Sequence, residues 1–160
     1  MGRTATAASF MRAAIGLAEE GMRAGAGGPF GAVVVRQGEI VGRGWNRVTS
    51  ANDPTAHAEI VAIREACAQL ATFKLADCEL YCSCEPCPMC LAAAYWAGIP
   101  ALCYAATRAD AAAAGFADEW LYTELSLPIA QRCLRMRQTS RRQALRAFAE
   151  WRAMVNKTTY

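Results

Sequence analysis

The 160-residue chain has one histidine, His57, and very little lysine: Lys74 and Lys157 stand among 17 basic residues that are otherwise arginine. No apolar run approaches the roughly 18 residues that suggest a membrane span. The first residues lack the basic segment, apolar stretch and cleavage site of a secretory leader. An excess of one charge is missing too, since 17 Lys and Arg against 14 Asp and Glu leave +3. That is too little to argue for a nucleic-acid or membrane surface. Internal repeats and low-complexity linkers are absent. These absences point to a cytoplasmic protein in a reducing compartment. There, eight cysteines read first as metal ligands and only then as disulfides. Hydrophobic residues at 54% and charged residues at 19% describe an ordered globular chain. The length favours one domain that buries a core without covalent staples.

Periodicity divides the chain into alternating elements. Residues 8–23 carry a helical apolar stripe of Phe10, Met11, Ala14, Ile15, Ala18 and Met22. Residues 30–36 and 39–46 read as strands joined by a tight Gln37-Gly38 turn. Asp53-Pro54-Thr55 reads as a helix start, with the helix running to about residue 70. A short strand is predicted at 79–83 and a helix at 88–97, stopped by Gly98 and Pro100. A strand at 101–105 and helices at 109–114 and 140–156 follow, while 115–137 shows no clear period. Strands alternating with helices predict an α/β layered domain, its sheet mixed and its helices on both faces.

The chemistry concentrates in two short strings, His57-Ala58-Glu59 and Glu85-Pro86-Cys87-Pro88-Met89-Cys90. Zinc binds imidazole nitrogen and thiolate sulfur tetrahedrally, and a catalytic zinc keeps three protein ligands and one open place. A Cys-x-x-Cys pair at a helix start lets both sulfurs converge, and the helix N-terminus favours thiolates. Such a pair alone also marks redox sites and structural zinc. A four-cysteine site with Cys82 and Cys84 is the alternative here. Those two lie on a predicted strand, two apart, and suit a core position better. Glu59 shares a helix face with Ala62, Ile63, Ala66 and Leu70. A carboxylate on a buried face is costly unless it is paired or functional. His57 and Glu59 flank one metal only where a helix is just beginning. His-x-Glu followed by Pro-Cys-x-x-Cys is the zinc deaminase signature, with His57, Cys87 and Cys90 as ligands and Glu59 as the proton carrier.

Thr55-Ala56-His57-Ala58-Glu59 and Ser83-Cys84-Glu85-Pro86-Cys87-Pro88-Met89-Cys90 resemble the cytidine deaminase-like superfamily. Within it, Gly28 to Val33, Trp45 to Thr49, Tyr95-Trp96, Ala111 to Phe116 and the C-terminal Phe148 to Trp151 resemble the bacterial guanine deaminases. The resemblance implies a three-layer α/β/α fold, one Zn2+ per site and a small-molecule purine base as substrate. It implies base contacts from Asn46, an aromatic wall from Phe30 with Trp96, and recognition of the guanine edge by Asp118. It further implies that Tyr160 reaches an active site from a C-terminal segment, about 140–160, swapped between the subunits of a homodimer. The family often carries two acids after Gly-Phe, where this chain has Ala117-Asp118.

The expected reaction is hydrolysis of guanine to xanthine and ammonia. Zinc makes hydroxide available near neutral pH, Glu59 moves the protons, and the Ala58 N–H orients the base. Alternatives are deamination of guanosine, cytosine, a pterin or tRNA adenosine, or a non-catalytic zinc module. No membrane partner is expected. Nucleic acid is disfavoured, although arginines between 135 and 152 offer a basic surface.

Overall fold

A computed structural model describes residues 6–116 and 118–159, so Ala117 and Tyr160 fall outside the described residues. The chain divides into two compact units, meeting at Leu121 and Tyr122.

In the first unit, helix α1 (Ala7–Arg23) begins where the Thr6 N–H donates to Ser9 Oγ at 2.9 Å. Strands β1 (Gly31–Arg36) and β2 (Glu39–Trp45) form the predicted hairpin. Gln37 and Gly38 both take positive φ, 51° and 81°, as a tight turn matched to strand twist requires. Strands β3 (Cys78–Cys84) and β4 (Ala101–Ala106) complete a four-stranded sheet of order β2-β1-β3-β4. β1 is antiparallel to β2 and β3, whereas β3 and β4 run parallel. A parallel pair needs a crossover, and helix α4 (Pro88–Ala97) provides it.

Alternation along β1 builds two apolar layers. Ala32 and Val34 join Ala58, Ala62, Ile63 and Ala66 of helix α3 (Ala58–Leu70), and Ala94 and Ala97 of α4, in one buried cluster. Val33 and Val35 join Phe10 and Ala14 of α1, with Tyr81, in the other. The sheet therefore carries helices on both faces, as expected. α3 lies unusually close to β2. A side-chain carbon added at Gly42 or Gly44 would collide with the carbonyl oxygens of Ala62 and Ala58. Glycine at these two positions lets the helix backbone rest on the strand and fixes where its first turn sits.

One boundary differs from the sequence expectation. Asp53-Pro54-Thr55 does not start the helix, because the Asp53 carboxylate is used within its own turn. Its Oδ1 accepts the Thr55 N–H at 2.8 Å and the Thr55 hydroxyl at 2.7 Å, a local closure typical of aspartate. A short helix α2 (Val48–Ala51) precedes it, and α3 begins only at Ala58.

Beyond β4, Thr107 caps helix α5 (Arg108–Ala113) by accepting the Asp110 N–H at 3.2 Å. Helix α6 (Glu119–Ser126) occupies part of the stretch without clear period. In the second unit the Arg132 guanidinium donates to the carbonyls of Leu127 and Leu125 at 3.0 and 3.1 Å, closing the end of α6. Helix α7 (Arg141–Ala153) follows. Among the described residues of this unit none is buried. No described helix is long and apolar enough to cross a membrane.

Candidate active site

Two helix starts meet beside the sheet. His57 is the N-cap of α3, with extended backbone (φ −68°, ψ 155°), and Cys87 is the N-cap of α4 (φ −67°, ψ 167°). Pro88 fits the first position of α4, where a missing N–H costs nothing. An N-cap residue leaves the helical path. That is why His57 and Glu59, two apart, serve one site although residues two apart diverge in mid-helix.

The three ligand candidates converge. His57 Nδ1 lies 3.6 Å from both Cys87 Sγ and Cys90 Sγ, and all three ligand atoms lie within 4.8 Å of one another. Zinc bonds of about 2.3 Å to sulfur and 2.0–2.1 Å to nitrogen at tetrahedral angles require a sulfur–nitrogen edge of about 3.6 Å. The donor set therefore fits zinc in type, number and spacing. Cys82 and Cys84 are buried but do not join this group, as the strand pattern predicts. Of the two thiols, Cys87 ionises first. The hydrogen bond from Cys90, with help from His57, holds it down to about 4. The same bond and burial push Cys90 up, and the hydrogen bond with Cys87 raises His57. A bound metal displaces the protons such a set retains.

Glu59 sits in the first turn of α3, only 7% exposed. Burial raises its pKa, and the negative charge of Cys87 adds to the shift. A carboxyl inclined to hold a proton beside a metal centre is equipped to accept and return one.

A cavity of about 220 Å³ opens onto His57, Glu59 and Cys87. It is smaller than the roughly 300–1,000 Å³ of sites for drug-sized ligands, which suits a single heterocycle. Phe30 lines it and meets Phe116 edge to face, ring centroids 4.9 Å apart at 85°. Asn46, 7% exposed, lines it as well. So does half-buried Asp118, whose pKa is raised by burial and then by the charge of Cys87. Ala58 is fully buried at the first position of α3.

Trp96 is not brought to this cavity. It lies on α4, 66% exposed, and the second aromatic wall is Phe116. Strand and helix patterns could not choose between the two, because the choice depends on where the chain after α5 returns to the sheet. Tyr160 is outside the described residues. Gly28, Val48, Thr49 and Glu85 also line the cavity; the first three were named from sequence only within matching strings, and Glu85 only there and for its main-chain carbonyl beside the ligands. Their signal was adjacency, since they flank Phe30, Asn46 and the Cys87 loop. Glu85 is held by Arg108, whose N–H donates to it at 3.1 Å and whose guanidinium lies 3.5 Å away.

A family model for the cytidine and deoxycytidylate deaminase zinc-binding region matches residues 4–106. The chain belongs to this deaminase family. The deaminase is 51% identical over 152 residues to the guanine deaminase of Bacillus subtilis (strain 168), covering 95% of this chain and 97% of that protein. Its fold matches the X-ray structure of guanine deaminase from Bacillus subtilis with a TM-score of 0.94 and 50% identity, over 97% of this chain and 99% of that one. A shorter similarity, 53% over 62 residues, relates it to the tRNA-specific adenosine deaminase of Aquifex aeolicus (strain VF5), over 39% of this chain and 41% of that protein. The matched region is a zinc-binding one, and His57, Cys87 and Cys90 are the described group able to hold the ion.

Proposed function

We propose that this deaminase hydrolyses guanine to xanthine and ammonia, with Glu59 carrying the protons. The observation that carries the reading is the cavity. It joins a three-ligand zinc site and a buried carboxyl to a base-sized space with one amide, Asn46, and two further carboxylates, Glu85 and Asp118, on its wall. Similarity to a guanine deaminase along 95% of the chain supports guanine over an RNA substrate, for which the matches to tRNA adenosine deaminases cover between 39% and 62% of it.

Bound at His57, Cys87 and Cys90, zinc supplies a water acidic enough to ionise near neutral pH. Glu59 takes one proton from the attacking water and gives it to the ring nitrogen, then takes the second from the new C2 hydroxyl and gives it to the leaving amine. The new C2–O bond replaces the C2–N bond, and ammonia departs. Phe30 and Phe116 flank the base. Asn46 donates to its acceptor edge, and Asp118 accepts from its N–H groups. The Ala58 N–H belongs to the first turn of a helix, where amides lack an intrahelical acceptor, and it orients the ring. The active protein is a cytoplasmic homodimer. The C-terminal segment, about residues 140–160, is exchanged between subunits, which brings Tyr160 to the partner's site. Exposed Leu145, Phe148, Trp151 and Met154 on or beside α7 support this assembly, since apolar surface of that extent marks association.

The test is ammonia release from guanine, guanosine, cytosine, a pterin and a tRNA adenosine substrate. Guanine should be turned over fastest. Faster release from any of the others would replace the substrate assigned here.

A further inference from the structure

Asn46 can face a ligand in two ways, offering either its oxygen or its NH2 group. Its Oδ1 accepts two main-chain hydrogen bonds, from the Gly28 N–H at 3.3 Å and the Val48 N–H at 3.2 Å. Backbone N–H groups only donate, so a turned amide would set its NH2 against two donors and leave all of them unsatisfied. The oxygen is committed, and Nδ2 is the group left for the cavity that Asn46 lines. The residue's own backbone is pinned as well, its N–H donating to the Phe30 carbonyl at 3.0 Å. Position 27 completes the arrangement. A side-chain carbon at Gly27 would overlap Asn46 Oδ1 and come within 2.7 Å of the Asn46 carbonyl oxygen. Gly27 is not among the residues that line the cavity.

We infer that Gly27 and the Gly28 N–H are specificity-determining positioning groups. They commit Asn46 to donating, so the site selects a base that presents a hydrogen-bond acceptor at that edge and rejects one that presents an N–H donor there. The inference rests on the reading of this cavity as a purine-base site.

The experiment compares kcat and KM for guanine with those for 7-deazaguanine, which loses the N7 acceptor, and for 2,6-diaminopurine, which puts an NH2 donor where guanine has its O6 acceptor. In the unaltered enzyme at least one analogue should lose about tenfold in kcat/KM, the loss expected for one hydrogen bond. In Gly27→Ala that penalty should shrink to about twofold while zinc content is unchanged, because the amide is no longer held in one sense. Asn46→Asp needs no extra space. It keeps the pinned oxygen and turns a second acceptor toward the base, so guanine kcat/KM should fall about tenfold or more, chiefly through KM. Equal treatment of all analogues by the unaltered enzyme would overturn the inference. So would an Asn46→Asp enzyme that keeps its guanine KM, or a Gly27→Ala enzyme that loses every substrate in the same proportion. An unaltered enzyme that releases no ammonia from guanine would instead overturn the guanine assignment, a result read separately from the ratios.

Discussion

The two units of the chain handle apolar surface in opposite ways. Among the described residues, every buried side chain belongs to residues before 122, and none to those after it. The second unit is not short of apolar residues, for Leu134, Met136, Phe148 and Val155 are 72%, 53%, 61% and 94% exposed. Charge divides the same way. Residues 122–160 hold eight of the 17 basic and two of the 14 acidic residues, a net +6 that leaves −3 on the rest. A segment that buries nothing on its own must draw its stability from what it binds. The first unit carries the candidate site on a sheet covered on both faces, and the second carries exposed apolar side chains and the excess positive charge.

Four perturbations bear on that contrast. The largest effect is expected at Glu59. Glu59→Ala should lower guanine turnover by about 10²–10⁴-fold with zinc content and particle size unchanged, as read by ammonia release, metal analysis and light scattering. Near-normal turnover would remove Glu59 from the chemistry. Next comes the association surface. Phe148→Asp combined with Trp151→Asp should convert a dimer to monomers in sedimentation while the first unit keeps its zinc. A dimer that persists in this variant would take α7 out of the interface. A smaller effect belongs to the packing of the first unit. Gly44→Ala sets a methyl against the Ala58 carbonyl and should cost about 1–3 kcal/mol of stability, measured by denaturant unfolding. No change would mean that α3 does not rest on β2 as described.

The smallest effect is one of pH. Tyr81 donates to Glu79 at 2.6 Å, and this bond, with burial, pushes the phenol up to about 12. A pKa raised by folding means that the stabilisation is complete below the ordinary tyrosine value of about 10 and is lost as pH rises toward 12. Tyr81→Phe should abolish the late phenolate absorbance and flatten the stability profile across that window. An unchanged titration would place the late phenolate on another tyrosine.

Much of the first unit was legible from sequence because its signals are local. The α1 stripe, the Gln37-Gly38 hairpin and the Pro88 helix start each depend on residues within a few positions. The metal group was legible because one histidine and one Cys-x-x-Cys pair leave few ways to build a zinc site. The start of α3 was misplaced because Asp53-Pro54-Thr55 carries the same residues as a helix cap but closes its own turn. α6 was not recognised because a helix of eight residues spans only two turns and gives periodicity little to act on.

The sequence by itself determined the ligand types, the acid two residues from His57, and the alternation that puts helices on both faces of a sheet. These follow from residue chemistry and from the fixed periods of helix and strand. Tertiary structure alone decided that Phe116 rather than Trp96 faces the cavity, and which way the Asn46 amide points. Both depend on segments far apart in the chain arriving at one place, and no local period encodes that arrival. It also decided the 3.6 Å separation of His57 from both cysteine sulfurs. Two helix starts from different parts of the chain had to meet for that distance to exist.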